Sequence, residues 1–279
     1  MREYLKFKRS FTLIELLVVI AVIALLSSVI LVSLSGPRQK ARITKALEFS
    51  QSVQHAIGIE AVGIWDFDDC SAKDRSGYKN DGTINGAICV DDTPYKVLGT
   101  GQGKNALSFD GVDDYVNVGT TINPVNNKIS VELWFKWTGG SGNRRLPISK
   151  YSAPGWYIEL TTNNEIRFLT YGIIDGTWTS VSSDMVTVTQ GVWYHVVGVW
   201  DKPTQYFYVN GVQKTPKSAN HDTISNSVTL AIGRDGQNDR FYFNGTIDEV
   251  RLYATALTFG QIQDLYLAGL EKHQQLTIK

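Results

Sequence analysis

Polar and apolar positions along the chain follow three successive patterns. Residues 11–34 form a nearly unbroken apolar run, interrupted by one acid, Glu15. At about 1.5 Å per residue, such a run is long enough to cross a hydrocarbon layer of roughly 30 Å as a helix. Gly36 and Pro37 follow, a pair that weakens a helix and removes a backbone donor, so a kink is expected there. Ile43, Ala46, Leu47, Ser50, Val53 and Ile57 then recur at i, i+3, i+4 spacing, which predicts an amphipathic helix. Its other face carries Arg42, Lys45, Glu48 and Gln51.

From Ala61 onward the period drops to two. Short alternating runs are broken by Gly, Asn and Asp. Strands are expected at 130–137, 156–160, 165–170, 206–209, 228–232 and 241–253. In the run from Trp193 to Trp200 both alternating sets are largely apolar, which predicts a strand buried on both faces. Asn210-Gly211 behind Tyr206–Val209 is the signal of a two-residue hairpin turn. Many short strands without central helices predict a two-sheet sandwich.

Composition narrows the functional classes. The chain has 279 residues, 27 Lys plus Arg and 27 Asp plus Glu. Phosphate binding needs a basic face, and that balance argues against nucleic acid as the main partner. Only four histidines and two cysteines are present, with no zinc-type spacing. The first ten residues contain Arg2, Lys6, Lys8 and Arg9 against Glu3, a basic head before the apolar run.

The order Ser10-Phe11-Thr12-Leu13-Ile14-Glu15 behind that head resembles the N-terminus of a type IV prepilin. Ser10 stands where that family usually has glycine. The resemblance implies cleavage between Ser10 and Phe11 by a prepilin peptidase, then N-methylation of Phe11. It also implies other pilin subunits as partners. An acid in hydrocarbon is costly unless paired, and Glu15 lies four residues from the new amino terminus. Pairing with the amine of a neighbouring subunit makes Glu15 an assembly contact. The implied route runs from a bacterial inner membrane to the cell surface or a pilus.

A second resemblance covers most of residues 61–270. The blocks "ALSFDGVDDYVNV", "ISVELWFKW", "WYHVVGVWD", "YFYVNGV" and "FNGTIDEVRLYATALT" occur in the order found in LamG-like, concanavalin A-like jelly-roll domains. The expected fold is therefore a long N-terminal α-helix, transmembrane and pilin-like, followed by an all-β jelly-roll sandwich. The expected division is a leader at 1–10, a membrane helix at 11–34, a helix extension at 35–60, the jelly roll at 61–270 and a tail at 271–279.

Glucanases of this fold need paired acids on one strand face, as Glu-x-Asp-x-x-Glu. The corresponding block here offers Glu132 alone, and His195 reads as a packed strand residue, so no enzymatic activity is expected. A structural Ca²⁺ is the implied metal. Asp248, read as sharing an inward face with Val250 and Leu252, is the first candidate ligand, with Asp66, Asp68, Asp110 and Asp113. A turn-capping role is the alternative for Asp248. Cys70 and Cys89 flank a Gly/Asn/Asp-rich loop and read as a disulfide in an exported domain, the alternative being two buried thiols. Contacts to a glycan or a surface protein are expected from Arg144, Arg145, Trp156, Tyr171 and Trp178. The expected role is a minor pilin with an adhesive head. The alternatives are a pseudopilin with a structural head and a membrane-anchored glycan hydrolase.

Overall fold

The structure, a computed structural model, describes residues 60–91, 105–140 and 144–273, with Leu17 and Ser52. The chain divides into two units, Met1–Phe49 and Ser50–Lys279, and the fold described here belongs to the second. Ser10, Phe11 and Glu15 lie outside the described residues, as do nearly all of the apolar run and the predicted helix after it. Among the described residues no helix is long and apolar enough to cross a membrane.

Seventeen strands and one helix follow in chain order among the described residues. They are β1 (Ala61–Trp65), β2 (Thr83–Asn85), β3 (Ile88–Val90), β4 (Ala106–Asp110), β5 (Tyr115–Gly119), β6 (Lys128–Trp137), β7 (Arg145–Lys150), β8 (Gly155–Leu160) and β9 (Glu165–Ile174). Then come β10 (Thr177–Ser182), β11 (Val186–Thr187), β12 (Trp193–Asp201), β13 (Thr204–Val209), β14 (Val212–Gln213), β15 (Lys217–Ser218), β16 (Leu230–Ile232), β17 (Asn244–Tyr253) and helix α1 (Phe259–His273).

The strands form two antiparallel sheets. The nine-stranded sheet runs β14-β13-β12-β6-β17-β4-β3, with β1 beside β17 and β15 beside β13. The eight-stranded sheet runs β10-β9-β8-β7-β16-β5-β2, with β11 beside β9. Their inner faces meet in one core built from alternate residues, among them Leu133, Phe135, Trp156, Ile158, Phe168, Trp200 and Phe207. This is the two-sheet sandwich that the period-two pattern predicts and the jelly roll that the resemblance implies.

Local chemistry explains several elements. Asn210 and Gly211 both adopt positive φ, 50° and 73°, as a type I′ turn requires, and they join β13 to β14 with Val209 opposite Val212. The disulfide Cys70–Cys89 is formed, with Cα atoms 5.3 Å apart, and ties the loop after β1 to β3.

The two-sided burial of β12 has its cause in α1. Val196 and Trp200 face the main core, whereas Val197 and Val199 pack beneath α1 with Tyr208, Tyr253, Ile262 and Leu265. The strand pattern predicts no helix at this end and a tail at 271–279; α1 instead reaches His273. Its start is a capping box: Gln261 N–H donates to Thr258 Oγ1 at 3.3 Å, and Thr258 N–H donates back to Gln261 Oε1 at 2.8 Å. The helix lies close on the sheet because Gly269 has no side chain. A Cβ there would come within 2.4 Å of Trp134 Nε1.

Candidate functional site

Two arrangements stand out, one open on the outer face of the eight-stranded sheet and one sealed under α1. The open one follows from strand parity. Ile166 and Phe168 of β9 enter the core, so Arg167, Leu169 and Tyr171 face outward. The β9–β10 register sets Trp178 opposite Ile173, Ser180 opposite Tyr171 and Ser182 opposite Leu169. Opposite residues share a face. Tyr171 and Trp178, two of the expected ligand residues, therefore stand on one surface, with Trp178 55% exposed.

Arg144 joins them. Leu146, Tyr157 and Leu169 cluster with Tyr151, Tyr171 and Phe241 on this face, and the Arg144 guanidinium lies over the rings of Tyr151, Tyr157 and Phe241 at 5.8, 5.5 and 5.1 Å. Arg144 donates from Nε to Glu159 Oε1 at 2.7 Å and from Nη2 to Tyr157 Oη at 2.7 Å. Arg167 donates to the other Glu159 oxygen from Nη2 at 3.2 Å. Burial pushes the Tyr157 phenol well above its ordinary range, although the Arg144 charge works against the shift. A buried acid thus holds two arginines against an aromatic platform whose rim is an exposed tryptophan. Such a surface can stack on a flat apolar face and donate hydrogen bonds beside it.

Arg145 and Trp156 do not join this surface. Trp156 is fully buried in the core, because the β8 residues of that parity face inward. Arg145 is buried over the Trp137 ring and donates to the Gly140 carbonyl at 2.6 Å.

The sealed arrangement is a lattice of charges between the nine-stranded sheet and α1. Glu132 Oε1 accepts from Arg251 Nη1 at 3.0 Å and lies 3.2 Å from His195 Nε2, while Oε2 accepts from the Tyr253 hydroxyl at 2.9 Å. Arg251 also donates to Glu249. Lys272, in the last turn of α1, reaches Asp68 at 2.7 Å, Asp248 at 2.8 Å and Glu249 at 3.2 Å. His273 Nε2 lies 2.8 Å from Asp248, and its ring stacks on Trp134 at 4.4 Å. Burial raises the Glu132 carboxyl, but Arg251, His195 and Tyr253 together hold it below the usual carboxylate range. Burial pushes the His195 imidazole down. Glu132 and His195 are both fully buried, so no substrate can reach this acid and imidazole in this arrangement.

That lattice corrects the expected facing of Asp248. A β-bulge interrupts the β17–β6 register between Asp248 and Arg251, where Glu249 has φ 50°. Val250 and Leu252 stay in the core, whereas Asp248 pairs opposite Trp134 on the face under α1. The partner a buried carboxylate requires is the Lys272 ammonium, with His273 beside it.

The five acids expected around one Ca²⁺ do not converge. Asp68 and Asp248 meet at Lys272, and Asp66 lies 3.6 Å from Arg75. Among the described residues, the group with carboxylate oxygens within 4.8 Å of one another is Asp110, Asp113 and Asp114, in the β4–β5 turn. Burial and then the Asp110 and Asp113 charges raise Asp114 above its ordinary value, although the Asp110 N–H works against the shift. Three oxygen donors without nitrogen or sulfur fit a hard cation such as Ca²⁺, which would neutralise that turn. Asp110 and Asp113, two of the expected ligands, belong to this group.

Comparison with known proteins agrees with this architecture. The family model described as concanavalin A-like lectin/glucanases superfamily matches residues 110–263. The prokaryotic N-terminal methylation motif matches residues 5–31, a stretch containing Ser10, Phe11 and Glu15. No curated protein sequence matches the chain. Among solved structures, domain 4 of AbnA, a GH43 extracellular arabinanase from Geobacillus stearothermophilus in complex with arabinotriose, is similar at TM-score 0.58 and 21% identity, covering 74% of this chain and 98% of that domain. The binding domain of Paraclostridial Mosquitocidal Protein 1 is similar at TM-score 0.61 and 15% identity, covering 75% of this chain and 52% of that one. The botulinum neurotoxin serotype D binding domain gives TM-score 0.55 and 16% identity over 77% of this chain and 52% of that one. This chain therefore spans about half of each toxin domain. At these identities the neighbours establish the fold alone. The family match covers more than half of the chain: the protein belongs to the concanavalin A-like lectin/glucanases superfamily and carries the prokaryotic N-terminal methylation motif of type IV prepilins.

Proposed function

We propose that this protein is a minor pilin-like surface protein whose jelly-roll head binds a glycan for adhesion. The observation that carries the ligand part is the joining of Arg144, Tyr171 and Trp178 on one open sheet face. The arabinotriose bound to the AbnA domain is consistent with a carbohydrate role for this kind of fold. Other pilin subunits, the prepilin peptidase and the membrane are the partners that the methylation motif supports. In this reading residues 11–34 span the membrane, and Glu15 pairs with the methylated Phe11 amine of a neighbour.

Two measurements test the proposal. On a glycan array, the full chain in detergent retains a defined set of sugars, and Trp178→Ala reduces that binding by about tenfold or more, since stacked aromatics dominate such contacts. Equal binding by Trp178→Ala, with a folded head, would remove this face from the reading. Sequencing the mature N-terminus addresses the anchor separately. Methylated Phe11 is the expected first residue, and an intact Met1 in a strain with an active prepilin peptidase would sink the pilin assignment. A structural head without a ligand, as in a pseudopilin, would give methylated Phe11 and an empty array.

A further inference from the structure

Every sheet that does not close ends in strands with unpaired N–H and C=O groups, and proteins blunt these edges. Here most edges are blunted. The nine-stranded sheet ends in β14, two residues, and β3, three residues; one end of the eight-stranded sheet is β2, three residues. The outer side of β1 is capped by side chains and loop. Ile64 N–H donates to Asp74, Arg75 N–H to the Ile64 carbonyl, and Asn80 Nδ2 to the Val62 carbonyl. β10 is the exception. It is six residues long, lies at the end of the eight-stranded sheet, and keeps an unshifted register with β9 throughout. From Thr177 to Ser183 it has no charge and no proline.

The phase of its hydrogen bonds follows from one contact. Ser183 N–H donates to the Phe168 carbonyl at 2.9 Å. Residues two apart share that phase in an antiparallel pair, so Val181, Thr179 and Thr177 bond to β9. Trp178, Ser180 and Ser182 then turn their N–H and C=O groups away from the sheet. No described residue bonds to those groups.

We propose that β10 is a pairing edge for a second copy of this chain. An antiparallel match centred on Ser180 sets Ser180 against Ser180 of the second copy, and Trp178 against Ser182 of the second copy. Every residue with outward groups is thereby matched to another such residue, and opposite side chains fall on the same sheet face. The exposed indole of Trp178 gains cover at Ser182, whose hydroxyl accepts from Arg167 at 3.3 Å. No charge within the strand opposes the match, and Asp184 just beyond it is paired with Lys217 at 2.6 Å. The two ligand faces become one continuous surface. A six-residue edge is smaller than a standard stable interface, so pairing depends on chains held close together. Membrane anchoring supplies that closeness, and in this respect the inference rests on the proposed function.

The test uses the full chain in phospholipid vesicles. The native cysteines are already bonded to each other, which leaves an added thiol to report alone. Under mild oxidation, Ser180→Cys is expected to form disulfide-linked dimers about tenfold more than Val212→Cys, which sits 59% exposed on a short edge. Adding Ser182→Pro removes one outward donor and should return cross-linking to the Val212→Cys level, with the melting temperature of the head nearly unchanged. Equal cross-linking at the two positions in chains that pellet with the vesicles overturns the pairing. Chains that fail to pellet overturn the anchor instead, and the same comparison in concentrated solution then decides the pairing.

Discussion

Replacing Lys272 by Ala should unfold the end of α1 and lower the stability of the head by about 3–5 kcal/mol, the range for removing one partner of a buried ion pair. Lys272 lies among Asp68, Asp248 and Glu249, and its side chain is 6% exposed. Deleting it leaves two buried carboxylates sharing what remains: His273 for Asp248, and Arg251 for Glu249. For a domain of this size the loss corresponds to roughly 10 °C in melting temperature. Lys272→Met separates charge from packing, since it keeps an unbranched apolar stem. Both variants should fall by similar amounts if charge dominates. A shift below about 2 °C in both would contradict the lattice as described.

Opening the disulfide should have the next largest effect. Cys70 and Cys89 are separated by 19 positions, and a loop of about that length constrains the unfolded chain by about 3 kcal/mol. Cys70→Ser with Cys89→Ser is expected to lower the midpoint of chemical denaturation without changing its slope greatly. The wild-type chain should show no thiol reactive with a maleimide after denaturation without reductant. Two reactive thiols, or an unchanged midpoint in the double variant, would contradict the bond's contribution.

How much could be read beforehand differs by kind of interaction. Asn210-Gly211 specifies its turn locally, because two positive φ values suit those residues. The two-sided burial of β12 is visible in its apolar alternation, but that alternation does not say that a helix forms the covering layer. The signal was present: Thr258 and Gln261 form a capping box ahead of Ile262, Leu265 and Tyr266. Tyr171 and Trp178 lie on different strands, and Asp175-Gly176 between them is the turn that brings them to one face. Trp156 and Tyr157 are adjacent aromatics on one strand, so alternation alone does not say which of them faces inward; Trp156 does. Asp248 was harder. Its partner Lys272 is 24 positions away on another element, and the bulge at Glu249 reverses the facing that strict alternation implies.

The loop behind β1 has a mechanical meaning. Any tension transmitted from the N-terminal segment enters the head along the chain at Glu60 and meets β1 first. Peeling β1 from β17 frees only the slack as far as Cys70, where the covalent bridge to β3 halts further extraction. Lys272 grips Asp68 just ahead of that stop. Pulling from this end therefore peels β1 and then loads β3 through the bridge, bypassing the loop between Cys70 and Cys89.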